Sequence, residues 1–172
     1  NGNKDIFILK LSENGDFIWA KQIGGSSSDV GLAITIDDYG NVYTTGKFYG
    51  TVDFDPGINV YNITSSPYDI FILKVSENGE FIWAKSFGGN SSKIASSIVV
   101  DKYGNIYLKG RFSNTVDFDM GVGVYNLTSI ALSDIFINKV DSIGNLIWAK
   151  QIGGYFVYDV INSLVLDSAG NV

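Results

Sequence analysis

Two stretches of this chain place paired carboxylates one residue apart: Thr51 to Gly57 reads TVDFDPG, and Thr115 to Gly121 reads TVDFDMG. In an extended chain, positions i and i+2 point the same way, so Asp53 and Asp55, and again Asp117 and Asp119, can aim two carboxylates at one target. The chemistry this suggests is oxygen ligation of calcium. Calcium takes about six to eight oxygens, and the EF-hand spacing continues to a third side chain and a distant Glu. Here the pattern stops at two, and Gly57 and Gly121 follow directly. The same residues suit a turn in which each carboxylate accepts hydrogen bonds from nearby backbone N–H groups. Met120 standing where Pro56 stood shows that the turn does not depend on proline. We therefore expect structural turns, with Asp53, Asp55, Asp117 and Asp119 as calcium candidates, and we assign no metal, cofactor or catalytic residue.

The elements that position these turns belong to a repeat. DIFILKLSENGDFIWAKQIGG starts at Asp5, DIFILKVSENGEFIWAKSFGG at Asp69 and DIFINKVDSIGNLIWAKQIGG at Asp134, offsets of 64 and 65 residues. Without gaps, 5–68 and 69–132 share 38 of 64 positions. Each period reads as strands and turns. DIFILKL and DFIWAKQI flank a short turn ending in Gly, the pattern of a β-hairpin, and GLAITID, DYGN and VYTTGKF form a second. In DFIWAK both strand faces are largely apolar, which suits a strand packed between neighbouring sheets. No helical periodicity interrupts this. Four strands per period, with one Trp and several Gly each, is the arithmetic of a β-propeller blade. A β-sandwich built from duplicated halves is the alternative.

The expected architecture is all-β: a partial propeller of four-stranded blades of about 64 residues, two complete and two partial. Residues 4–25 would supply the last hairpin of a blade, 29–89 and 93–154 two full blades, and 156–172 the start of the next. Propellers close with about 4–8 blades, so we expect a piece of a longer protein.

Composition narrows the function. The chain has 172 residues, 45% hydrophobic and 14% aromatic, which is enough for a packed core. Its net charge of −6 argues against nucleic acid and anionic membranes as partners, since both require a basic footprint. There is no histidine and no cysteine, which removes Ser-His and Cys-His nucleophile arrangements and zinc sites of the Cys/His type. No apolar run approaches the length of a membrane span.

The pattern DIFILK…ENG.FIWAK..GG followed by I..D.YGN.Y..G.F resembles the bacterial β-propeller repeats of SBBP type, over essentially the whole chain. That resemblance implies a secreted or cell-surface protein, in a group that includes multidomain proteins exported by the type IX route. It supplies no catalytic motif. DSI at Asp141 and DSA at Asp167 resemble short O-glycosylation sites of the same bacterial group, which makes Ser142 and Ser168 modification candidates.

Other residues are weighed by how often they recur. Trp19, Trp83 and Trp148, one per period, are expected in the core between blades rather than as a sugar-stacking ladder. Lys10, Lys21, Lys74, Lys85, Lys139 and Lys150 recur too, and are expected at solvent or paired with Asp5, Asp69 and Asp134. GGYFVYDV departs from the polar GGSSSDV and GGNSSKI, so Tyr155, Phe156 and Tyr158 mark a partner contact or a surface covered by another blade. The function expected is a non-enzymatic scaffold or binding module, outside the cell or on the bacterial surface, presenting loops to a protein or glycan. The alternatives are an accessory propeller of a secreted enzyme with active residues elsewhere, and a subunit of an extended surface assembly. Remaining blades of the same protein, or a neighbouring subunit, are expected partners.

Overall fold

The computed structural model describes residues 4–155 and 163–172. Among these there is no helix, and the strands are antiparallel. β1 (Ile6–Leu11) and β2 (Phe17–Gly25) form a hairpin. β3 (Val30–Ile36), β4 (Val42–Asp53), β5 (Asn62–Val75) and β6 (Phe81–Phe87) pair in sequence order. β7 (Lys93–Val100), β8 (Ile106–Phe112), β11 (Asp134–Val140) and β12 (Leu146–Ile152) repeat that order. Between β8 and β11 lies a short ribbon, β9 (Thr115–Asp117) with β10 (Asn126–Thr128). In the preceding sheet the equivalent ribbon is the extended tip of β4 and β5, where Val52 pairs with Ile63 and Asp53 with Asn62.

Each sheet is a meander because its turns are short and its strands are rich in β-branched and aromatic residues. Gly46 and Gly110 fill a position no other residue fits: a Cβ there would sit 1.9 Å from the carbonyl oxygen of Val30, or 2.0 Å from that of Ile94. The close approach lets the bulged first strand, irregular at Gly31/Ala33 and at Ala95/Ser97, lie against the second.

The sheets stack face to face. Tyr43, Ile70 and Ile72 of the β3–β6 sheet share one core with Ile98, Leu108 and Phe136 of the next. Within each sheet three phenylalanines meet edge to face or tilted. Phe48, Phe54 and Phe71 lie with centroids 5.1 to 6.3 Å apart, and Phe112, Phe118 and Phe136 lie 5.0 to 6.4 Å apart. Such pairs add about 0.5–1.5 kcal/mol each beyond area burial. Phe54 and Phe118 are the middle residues of the two DFD stretches, and both are fully buried. The Phe of DFD is therefore a core plug, and alternation turns its two Asp neighbours the other way.

That ribbon also ties one sheet to the one before it. Gly24 pairs with Asp53 and Gly25 with Val52, joining the end of β2 to the tip of β4. Gly88 bridges to Asp117 in the same manner one repeat later. The sheets do not close into a ring among the described residues.

Candidate binding clefts at the seams between sheets

One turn recurs along the chain with the pattern D-x-x-G-N: at Asp37, Asp101, Asp141 and Asp167. In each, one carboxylate oxygen accepts from the backbone N–H two and four residues on. For Asp37 these are Tyr39 N at 3.0 Å and Asn41 N at 2.9 Å. The other oxygen accepts from the Asn side chain, at 2.8 Å in the first two turns. The Gly sits at positive φ, +78° at Gly40 and +81° at Gly104, which a side chain would strain. In the SENG turns, Ser12 and Ser76 do the same work with a hydroxyl.

Behind the first two turns stands a column of three side chains. The Tyr43 hydroxyl donates to Asp37 Oδ2 at 3.0 Å, and Lys74 Nζ lies 4.9 Å above the Tyr43 ring. One repeat on, the Tyr107 hydroxyl donates to Asp101 Oδ2 at 3.4 Å. Lys139 Nζ lies 4.8 Å above the Tyr107 ring and 3.7 Å from Asp101 Oδ2. Partial burial acts to raise the Asp37 carboxyl, but hydrogen bonds from Asn41, Tyr43 and Tyr39 outweigh it and hold the group below its usual value. Asp101 is lowered by the same balance, with Lys139 adding its charge. Burial first, then the Asp37 hydrogen bond and charge, push the Tyr43 phenol up, so it stays a neutral donor.

Stacking the sheets turns these columns into clefts. A cleft of about 200 Å³ has Asp38, Tyr39, Tyr43 and Lys74 on one sheet and Lys102, Tyr103 and Ser142 on the next. At the following seam, a cleft of about 340 Å³ is lined by Tyr103, Tyr107 and Lys139 on one side and the Asp167–Gly170 turn on the other. Tyr39 and Tyr103 are 82% and 74% exposed, and Lys102 Nζ lies 5.1 Å over the Tyr103 ring. Both oxygens of each turn Asp are engaged within the turn. What the clefts offer outward is therefore ring faces, ammonium groups, the Asp38 carboxylate and the Ser142 hydroxyl.

The paired carboxylates lie elsewhere, in the β4–β5 tip and beside the β9–β10 ribbon. Asp53 Oδ1 accepts from Asp55 N at 3.0 Å and Tyr61 N at 2.8 Å, and Asp55 Oδ1 accepts from Gly57 N at 2.7 Å. Asp117 and Asp119 repeat this with Asp119 N, Tyr125 N and Gly121 N. These are the expected backbone-capping turns, with the same bonds whether Pro56 or Met120 follows. No group of three or more acidic residues poised to hold a metal occurs among the described residues.

The tryptophans sit at the seams, half-buried rather than in the depth of the core. Trp19 Nε1 donates to the Glu77 carbonyl at 3.0 Å, and Trp83 Nε1 donates to the Ser142 carbonyl at 3.2 Å, each reaching a turn of the next sheet. Of the two placements expected for the repeated lysines, at solvent or on an aspartate, Lys10 and Lys85 take a third, on turns of the next sheet. Lys10 Nζ donates to the Glu77 carbonyl and Lys85 Nζ to Asn145 Oδ1. Asp5 accepts from Gln22, Asp134 from Gln151 and Ile130, and Asp69 pairs with Lys93. Distance explains it: five residues along a strand put Asp69 and Lys74 about 16 Å apart.

Ser142 and Ser168 are exposed turn residues beside the two clefts. Tyr155 is exposed, while Phe156 and Tyr158 lie outside the described residues. Sequence reading missed the clefts, although a signal was present in the fourfold recurrence of D-x-x-G-N.

These sheets and seams define an all-β fold of stacked antiparallel sheets in propeller-blade order, not closed among the described residues. Residues 18–47 match the family model of the SBBP beta-propeller repeat, a span that runs from β2 across one seam into β4. The chain is 26% identical, over 88% of its length, to the Uncharacterized WD repeat-containing protein L264 of Acanthamoeba polyphaga mimivirus. It is 25% identical, over 81% of its length, to the Regulatory protein FlaEY of Caulobacter vibrioides. The matches cover 13% and 14% of those relatives, so the chain spans about a seventh of the length of each.

Proposed function

We propose that this chain is a non-enzymatic β-propeller scaffold and binding module of a bacterial secreted or cell-surface protein, presenting its turns to a protein or glycan partner. The observation that carries the reading is the recurring cleft. At two successive seams the fold sets exposed tyrosines beside a lysine and a turn stiffened by internal hydrogen bonds. Concave sites with a few fixed polar groups and aromatic walls are built to bind. Deleting this segment from the parent protein is expected to abolish surface attachment or partner capture by the cells that make it. Unchanged attachment in the deletion strain contradicts the reading.

A specific observation also favours contact with further blades, in the same protein or in a neighbouring subunit of an extended assembly. Phe7, Leu9 and Leu11 of β1 are exposed, whereas their equivalents Phe71, Leu73 and Val75 are fully buried. Leu32, Ile34 and Ile36 of β3 are exposed as well, whereas Ile98, the equivalent of Ile34, is covered by the neighbouring sheet. The burial of Phe71, Leu73, Val75 and Ile98 by a neighbouring sheet supports another copy of the same repeat as the cover.

A further inference from the structure

Among the described residues, the two seam clefts combine concavity with exposed tyrosines and outward-facing polar groups. They share a wall. Lys102 and Tyr103 line the cleft between the β3–β6 and β7–β12 sheets and also the cleft at the following seam. A ligand leaving one cleft therefore meets the same aromatic ring at the entrance to the next.

The side chains select the ligand class. Tyr39 and Tyr103 are exposed, with Lys102 Nζ 5.1 Å over the Tyr103 ring, and exposed aromatic rings favour a partner with its own apolar face. Around them lie donors and acceptors side by side: the Lys74 and Lys102 ammonium groups, the Ser142 hydroxyl and the Asp38 carboxylate. A sugar ring matches this, because its C–H face stacks while its hydroxyls both donate and accept. An anionic ligand such as a nucleotide fits poorly, because three carboxylates (Asp37, Asp38, Asp101) stand against two lysines, Lys74 and Lys102, which already lie over the rings of Tyr43 and Tyr103. A protein side chain would use one cleft and leave the shared wall unexplained.

We infer that the two clefts are consecutive subsites for a linear, uncharged polysaccharide that passes over Tyr103. This deepens the binding-module reading and rests on it. Two joined subsites make binding depend on ligand length. A hexasaccharide engages both clefts and a disaccharide one, so affinity should rise by about 10²-fold. Tyr103→Ala removes the shared ring and should weaken hexasaccharide binding by about tenfold or more, and Tyr39→Ala by less. Both side chains are exposed, so neither change should disturb folding, which circular dichroism of each variant checks.

The test is isothermal titration of the full chain with disaccharides and hexasaccharides of β-1,4-glucose, α-1,4-glucose, β-1,4-mannose and β-1,4-xylose. Preference for the hexasaccharide of at least one series, lost in Tyr103→Ala, supports the proposal. Absence of binding across the four series overturns it, and so does binding that Tyr103→Ala leaves unchanged. Capture of a protein partner by a chain that binds no saccharide overturns this inference while leaving the module reading standing. Loss of both defeats the two together.

Discussion

Position 29 carries a carboxylate, and the equivalent position one repeat on, 93, carries an ammonium. Both are buried and both tie down the loop between sheets, with opposite sign. Asp29 accepts from the backbone N–H of Gly25 and Tyr49. Lys93 donates to the carbonyls of Gly89 and Ser91 and pairs with Asp69 at 3.0 Å. The chain can exchange an acid for a base here because the loop backbone turns the other kind of group toward it. Lys93→Met keeps the volume but removes the charge partner of Asp69, which keeps the Gly89 N–H at 3.3 Å, and the ammonium donor to the Gly89 and Ser91 carbonyls. It should destabilise the fold by about 2–3 kcal/mol, the low side for a buried pair because Asp69 keeps some water. Urea unfolding would show this as a lower midpoint at unchanged slope. The turn aspartates make a pH prediction. The pKa of Asp37 and of Asp101 is lower in the folded chain than in the unfolded one. Their stabilisation is therefore fully present above the unfolded carboxyl value of about 4, and is lost as pH falls through the folded value. Melting temperatures measured from pH 7 downward should stay level to about pH 4 and then drop, and the double variant Asp37→Asn/Asp101→Asn should flatten that drop.

Between elements, the seams are held by devices that reach from one sheet to a turn of the next. The Trp83 indole N–H on the Ser142 carbonyl is one, and the Gly88–Asp117 bridge beside the β9–β10 ribbon is another. Trp83→Phe keeps most of the ring and removes the donor, so it should cost about 1 kcal/mol, the net worth of an ordinary hydrogen bond, read as a lower thermal midpoint. An unchanged midpoint would show that the ring alone holds the seam. Strand order and repeat length were legible in the sequence, because alternation and turn residues act within a few residues of each other. The role of DFD as a turn was legible for the same reason. What lies across a seam was not. Spacing shows which strand face Trp83 or Lys74 occupies, but whether it meets a carbonyl, a tyrosine ring or Asp69 depends on how two sheets stack. The lysines were therefore left between solvent and an aspartate partner, without the turns that Lys10 and Lys85 reach, and the clefts were not seen at all.

At the scale of the molecule, repetition separates the scaffold from its working surface. The phenylalanine clusters, ribbons and seam contacts recur because each sheet must bury the face of the one before it. The clefts recur as a by-product of that stacking, and the exposed Tyr39 and Tyr103 beside them are what the proposed binding role rests on. The exposed apolar rows on β1 and β3 are the faces that, under the proposed reading, further copies of the repeat would cover. The most direct test of this account is retention of the fluorescently labelled full chain on intact cells of its source, compared with the double variant Tyr39→Ala/Tyr103→Ala. The account predicts that the wild-type chain is retained and that the double variant, folded to the same extent, is washed away. Equal retention of the two would contradict the claim that the seam clefts are where this protein binds.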